Sequence, residues 1–133
     1  MIIKISPDRE KAKSIIVMVN DRKKFISSTN IEQFPNIAVE NYYDIISELA
    51  TAILLSDGLK AIGENAHKET LEALSKFKEF AESEMNLMDD LRIKRNKSRY
   101  EGKQIHASYI ENKKQKILLI IEKLEKLAVR KDI

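Results

Sequence analysis

The sequence predicts an all-α protein: an up-and-down bundle of four longer helices and one short helix, in a single domain over residues 1–133. Apolar residues recur at three- and four-residue intervals through each long segment, which is the spacing of one helix face. No segment shows the alternation of apolar and polar residues that is typical of a strand. Three glycines and two prolines in 133 residues are too few to supply many hairpin turns.

The first helix is expected to open at Ser6, Pro7 and Asp8 and to run to about Ser27. Serine is a favoured capping residue, proline is favoured at the first helical position, and an acid suits the first turn. The segment SSTNIEQFPN that follows breaks the apolar pattern. It is therefore expected to form a loop.

The second helix is expected to begin near Pro35 and to run to about Ile62, where Gly63 can cap it. The pair Asp57-Gly58 offers an earlier end, about one turn before. Apolar residues in this segment cover more than one stripe, which is typical of a helix packed on several sides. We therefore expect the second helix to lie at the centre of the bundle.

Three further helices are expected in the second half of the chain. The third carries apolar residues through to Ala81, and a short fourth restarts at Asn86 and ends around Lys94 or Arg95. Ser108 and Glu111 have the spacing of a capping box, which predicts the start of the fifth helix. The apolar stripe of that helix consists of Tyr109, Ile117, Ile120, Ile121, Leu124 and Leu127.

The composition excludes several classes of function. The chain has no cysteine and only two histidines, so disulfides, thiolate zinc sites and a cysteine nucleophile are excluded, and we expect no metal and no other cofactor. No phosphate-binding glycine loop, zinc-protease motif or serine-hydrolase motif is present. Apolar runs are too short for a signal peptide or a membrane span. We expect a cytoplasmic protein without a membrane association.

Positive charge is concentrated in one short segment. Residues 92–103 contain six basic residues and one acidic residue, for a net charge of +5, whereas the whole chain carries +3. If a helix continued through RNKSRYEG, Arg95 and Arg99 would share one face, and Asn96 and Tyr100 would lie on the adjacent line. Arginine, carboxamide and phenol groups in that arrangement suit a phosphodiester, because a guanidinium binds phosphate through two hydrogen bonds. The alternative is a solvated, lysine-rich turn with Tyr100 packed over the core.

This segment resembles the motif of the HEPN family, in which an arginine is followed, after four to six residues, by a histidine. Asn, Asp or His often follows the arginine directly. Arg95 and Asn96 match, and Tyr100 stands where the histidine would be at the four-residue gap. The segment ILLSDGLKAIGENAHKET is also similar to the end of the second helix and the following turn in that family. The likeness covers nearly the whole order of helices.

The resemblance implies a HEPN-like four- or five-helix bundle that forms a homodimer and brings two copies of the motif to a shared cleft. Many members are metal-independent endoribonucleases that act on RNA, and some are toxins of toxin–antitoxin pairs neutralised by a small nucleotidyltransferase. Other members are non-catalytic binding or assembly modules. Two interpretations therefore stay open: an endoribonuclease, or a helical module that binds a nucleotidyltransferase partner or a nucleotide.

The resemblance assigns catalytic positions to Arg95, which would hold the phosphate, to Asn96, which would orient it, and to Tyr100, which would supply a hydroxyl group. We also expect Arg99 and Lys97 to bind phosphate. Tyrosine in place of histidine changes the chemistry, because a phenol with a pKa of about 10 is a poor general base at neutral pH. Tyr100 could still orient a phosphate or donate a proton. Arg99 and His106 form a second match with a six-residue gap, so His106 is kept as a further participant.

Overall fold

The structure, a computed structural model, describes all residues 1–133 and is a bundle of helices with one very small sheet, so the all-α prediction is confirmed. A short strand and a long helix come first, and a second long helix and a second short strand follow them. A short helix with a 3-10 turn over Ala73–Lys76 then leads to two more long helices. The elements are β1 (Ile2–Lys4), α1 (Arg9–Ser27), α2 (Pro35–Ser56), β2 (Leu59–Ala61), α3 (Ala66–Glu72), α4 (Glu82–Glu101) and α5 (Ala107–Arg130).

Helix α2 lies at the centre of the bundle, as its several apolar stripes predicted, and packs against α1, α4 and α5. Tyr43 and Ile45 are both fully buried although residues two positions apart point to different sides of a helix. The predicted stripe of α5 is buried from Ile117 to Leu127, while Tyr109 is half-buried at the edge of the core. None of the helices combines the length and the apolar character needed to cross a membrane.

The first helix begins later than expected, because the residues before it are held by the sheet. The amide of Ile5 donates to the Gly58 carbonyl at 2.8 Å, which keeps the chain extended up to Ser6. Asp8 caps α1, and its carboxylate accepts from the Lys11 amide at 3.0 Å. The assignment of Ser6 as the cap was therefore wrong.

Helix α2 ends at Ser56, at the earlier of the two expected positions, and the continuation to Ile62 was wrong. Gly58 turns the chain with a φ of +73°, and a Cβ there would lie 2.7 Å from the Ile5 carbonyl oxygen. The chain then forms β2, which pairs antiparallel with β1 so that Ile2 lies opposite Ala61. The sequence did not predict these strands, since three residues are too few to display an alternating pattern.

Helix α4 is one long helix, whereas the sequence predicted a short one from Asn86 to about Lys94 or Arg95. It begins at Glu82, and the Glu84 carboxylate accepts from the Ala81 amide at 2.9 Å. It continues through the basic segment because Leu91, Arg95 and Ser98 are buried at helical spacing. The predicted third helix is correspondingly shorter and does not reach Ala81.

The turn between α4 and α5 is fixed by Asn36 of α2. Its side-chain amide donates to the Ser98 hydroxyl and to the Lys103 carbonyl, both at 2.8 Å, and its oxygen accepts from the Ile105 amide at 2.9 Å. Helix α5 then begins at Ala107, with His106 in the capping position and no side-chain capping bond. The predicted capping box of Ser108 and Glu111 was therefore wrong.

Candidate functional site

The basic segment lies in the last three turns of α4 and in the turn that follows, and its arginines and lysines point to different sides. Arg92, Arg95 and Arg99 recur at three- and four-residue intervals, which places them on one side of a helix. Lys94 and Lys97 fall on another side and line a cleft toward α5. We call the side formed by Arg92, Arg95, Asn96, Arg99 and Tyr100 the arginine face.

Arg95 is buried against α2, with only 8% of its surface exposed. Its guanidinium donates to the Asn96 carboxamide oxygen at 3.1 Å and lies 3.7 Å from a carboxylate oxygen of Asp44. The guanidinium carbon also lies 5.3 Å from the centre of the Tyr43 ring, a distance at which a cation is attracted to the ring. The first two residues of the motif thus form one bonded unit directed at α2.

Asp44 is the acidic centre of this arrangement. Burial raises the pKa of its carboxyl group above the ordinary value, although the positive charges of Arg95 and Arg22 oppose the shift. The positive charge of Arg99 makes a smaller contribution in the same direction. A carboxyl group with a raised pKa is the type of group that can accept a proton at near-neutral pH.

A second ion pair joins α1 to the same region of α2. Arg22 donates to both carboxylate oxygens of Glu48, with distances between 2.8 and 3.1 Å, and lies 3.8 Å from Asp44. Arg22, Asp44, Glu48 and Arg95 therefore form one charged network across three helices. Such a network fixes the position of Asp44 between two guanidinium groups.

Two buried polar atoms in this region have no hydrogen-bond partner, the Tyr43 hydroxyl and the Arg95 Nε. Burial raises the pKa of Tyr43, so its phenol stays protonated at neutral pH. Buried polar groups are nearly always paired in native proteins. Close packing at the contact between α2 and α4 therefore leaves these two atoms without hydrogen bonds.

Tyr100 lies at the outer end of the arginine face and is 73% exposed. It forms no hydrogen bond with Arg95, and at this exposure it does not cover the core as the alternative interpretation of the segment expected. Helical spacing places it on the same side of α4 as Asn96. Arg99 is also exposed, and no carboxylate lies within ion-pair distance of it. The side chains of Tyr100 and Arg99 are therefore accessible to a ligand.

Lys97 and His106 lie away from this group, in the cleft between the end of α4 and the start of α5. Within one chain, the structure joins Arg95 to Asn96 and leaves Arg99 and Tyr100 further along the same side of α4, whereas Lys97 and His106 lie apart. Sequence reasoning missed Asp44, Glu48 and Arg22. The spacing of Asp44 and Glu48 was visible, but an acidic pair four residues apart looks the same on any solvent-facing helix.

The arginine face borders a strip of α2 that α1 and α4 cover only in part. Ile37, Asn41, Asp44 and Glu48 recur at three- and four-residue intervals along it, between α1 and α4. Ile37 is 49% exposed. Exposed Phe25 and Met18 lie three and four residues from Arg22 on α1, and so on the side that borders this strip. An apolar rim therefore surrounds a charged centre.

The structure contains no group of three or more His, Asp or Glu side chains placed to hold a metal ion. Comparison of the chain with protein-family models, with curated proteins and with solved structures found no match.

Proposed function

We propose that this chain is a HEPN-type, metal-independent endoribonuclease that works as a homodimer, with its arginine face at the shared cleft. The observation that supports the proposal best is the Arg95–Asn96 unit, held by a hydrogen bond and directed at Asp44. It joins two of the three residues matching the HEPN motif to a carboxyl group whose pKa is raised. Exposed Arg99 and Tyr100 lie further along the same side of α4.

The reaction is the transfer of a phosphodiester within RNA. The 2′-hydroxyl oxygen attacks the adjacent phosphorus and loses its proton to a base, and the bond from phosphorus to the 5′-oxygen breaks. That oxygen takes up a proton and leaves as a 5′-hydroxyl group. The other product ends in a 2′,3′-cyclic phosphate. The step consumes no water and requires no external reagent.

We assign each side chain a role in the reaction according to its exposure and charge. Arg99 binds the phosphate, because it is exposed and has no carboxylate partner. Asp44 accepts the proton of the 2′-hydroxyl group, and the exposed hydroxyl group of Tyr100 donates a proton to the leaving oxygen. Arg95 acts as a positioning residue, because its guanidinium holds Asn96 and balances the charge of Asp44.

A homodimer is supported by the rim around the arginine face. Exposed Phe25 and Ile37 supply apolar area, and a twofold interface uses the same patch on both subunits. Two segments of net charge +5 that meet at an interface repel each other. Asp44 and Glu48 offset part of that charge at the arginine face, and the lysines face elsewhere, so the expected repulsion is smaller.

The test is RNA cleavage in the presence of EDTA, with product ends identified. Tyr100→Phe removes only the hydroxyl group of an exposed side chain, so the fold is unaffected, and we expect cleavage to fall about 100-fold or more. Arg99→Ala should produce a comparable loss. Lys116→Ala, an exposed lysine on α5, is the matched control and should retain full activity. Unchanged cleavage in Tyr100→Phe would overturn the assigned role of the tyrosine.

The non-catalytic alternative is favoured by one observation, the presence of Tyr100 at the histidine position of the motif. In that case the exposed face would bind a nucleotidyltransferase partner instead of RNA. The same assay distinguishes the two functions. A protein that cleaves no RNA under any condition, yet forms a stoichiometric complex with a nucleotidyltransferase encoded beside it, would establish the alternative.

A further inference from the structure

The corner between the end of α4 and the start of α5 encloses a cleft of about 510 Å³. It lies on the side of α4 away from the arginine face, because Lys94 and Lys97 line it while Arg95 points at α2. Its lining is largely polar and includes four lysines, Lys94, Lys97, Lys103 and Lys113, with Asp90 as the single acid. We call this feature the lysine cleft.

The four lysines of the lysine cleft form no ion pairs, and only one acid lines the cleft with them. Lys94, Lys97, Lys103 and Lys113 all line the cleft, and none of them lies within 4.0 Å of a carboxylate oxygen. The single acid of the lining is Asp90, and the Tyr109 hydroxyl donates to it at 2.6 Å. Six of the fourteen lysines elsewhere in the chain form ion pairs, among them Lys123 with Glu84 at 2.7 Å. Four like charges converging on one concavity create a potential that attracts anions.

Interactions within the protein hold the walls of the lysine cleft in position without a ligand. Burial and the hydrogen bond to Asp90 raise the pKa of Tyr109 well above its usual range, so the phenol remains a neutral donor. The Lys94 ammonium lies 4.8 Å from the centre of the Tyr109 ring. Asn36 holds the backbone at Lys103 and at Ile105. Pre-organised walls lower the entropy that a ligand loses on binding.

We propose that the lysine cleft binds a compact anion with two or more linked phosphates, such as a nucleoside triphosphate or an inorganic polyphosphate. A single phosphate can contact only part of a set of four lysines, whereas a chain of phosphates can meet all of them. The four lysines line one concavity, which favours a compact ligand over an RNA strand. This site is separate from the proposed cleavage site and does not depend on it.

Calorimetric titration with tripolyphosphate tests the proposal. Lys97 and Lys103 are exposed, so the double variant Lys97→Ala/Lys103→Ala should fold normally, and we expect it to bind tripolyphosphate at least about tenfold more weakly. The matched control is Lys13→Ala/Lys116→Ala, which removes two exposed lysines outside the cleft. We expect that control to change affinity less than about twofold.

Further titrations identify the part of the ligand that is recognised. Equal affinity for tripolyphosphate and ATP would mean that the phosphate chain alone is bound, and tighter binding of ATP would place its nucleoside in the cleft as well. Both results support the proposal. Equal loss of affinity in the two double variants would overturn it, as would binding of a short RNA without binding of tripolyphosphate.

Discussion

The position of Asp44 in the sequence does not reveal the surroundings of its side chain. It lies between the guanidinium groups of Arg95 and Arg22, yet burial still raises the pKa of its carboxyl group. Above the pKa of an unfolded aspartate, about 4, the folded protein therefore holds this proton more strongly than the unfolded chain does. Ionisation of Asp44 thus opposes folding as the pH rises through this range.

Comparison of Asp44→Asn with the unsubstituted protein should reveal this pH dependence. Below about pH 4 the carboxyl group is protonated in both states, so its ionisation contributes nothing. As the pH rises toward the raised pKa, the stability of the unsubstituted protein should fall relative to that of the variant. Urea unfolding at a series of pH values measures the difference. A difference in free energy that stays constant from pH 3 to 7 would contradict the shift.

At the residue scale, sequence reasoning found Arg95 and Asn96 but not Asp44. The first two belong to a local motif, and local spacing can be seen in the sequence. The partner of Arg95 lies on another helix, about 50 residues earlier in the chain, and only packing reveals it. The separation of Lys97 from Arg95 was also hidden, because it depends on α4 continuing as a helix beyond Arg95.

Helix α4 carries both proposed sites, so its two ends determine whether they form. Its first turn is tied to α5 by Glu84, which accepts from Lys123 at 2.7 Å and from the Ala81 amide at 2.9 Å. Burial alone would raise the pKa of Glu84, but these hydrogen bonds outweigh it and lower the pKa. The carboxylate therefore stabilises the fold above the ordinary glutamate pKa and loses that effect as the pH falls.

We expect Glu84→Gln to lower the free energy of unfolding at neutral pH by about 1–2 kcal/mol. The variant keeps the size of the side chain but removes the charge that Lys123 contacts. The difference from the unsubstituted protein should shrink as the pH falls through the glutamate range. Glu82→Gln, at an exposed position in the same turn, is the control for urea unfolding. Equal stability of both variants would show that the contact with Lys123 contributes nothing.

The other end of α4 depends on Gly102, which has a φ of +63°. A Cβ at this position would meet no atom within 4 Å, so Gly102→Ala should cost only the backbone strain, about 1 kcal/mol. Gly58→Ala should cost more, because its Cβ would also lie 2.7 Å from the Ile5 carbonyl oxygen. Thermal unfolding of both variants measures the order. A smaller loss at Gly58 would contradict the close approach of the two segments.

The sequence predicted α2 and α5 well but α4 poorly. The long apolar stripes of α2 and α5 are buried, and burial is the strongest determinant of helix position in a small protein. The second half of α4 consists largely of charged residues, so the sequence indicated a turn there. What keeps it helical is the burial of Arg95 and Ser98 against α2, which no local pattern of apolar residues could indicate.

At the scale of the whole molecule, the account depends on assembly. Phe25 is 56% exposed and Ile37 is 49% exposed beside the arginine face. We expect Phe25→Ser/Ile37→Ser to shift the homodimer to a monomer without a loss of helical content, since neither side chain belongs to the core. Val17→Ser/Val129→Ser replaces two exposed apolar residues elsewhere and is the control. Light scattering that finds both variants in the same state would contradict this interface.

The dependence of RNA cleavage on protein concentration, measured in EDTA, tests the central claim most directly. If two arginine faces form one catalytic cleft, activity per chain should be constant at high concentration and should fall on dilution, as light scattering reports dissociation. The products should carry a 2′,3′-cyclic phosphate and a 5′-hydroxyl group. A protein that is monomeric at every concentration, or that cleaves no RNA as a dimer, would contradict the claim.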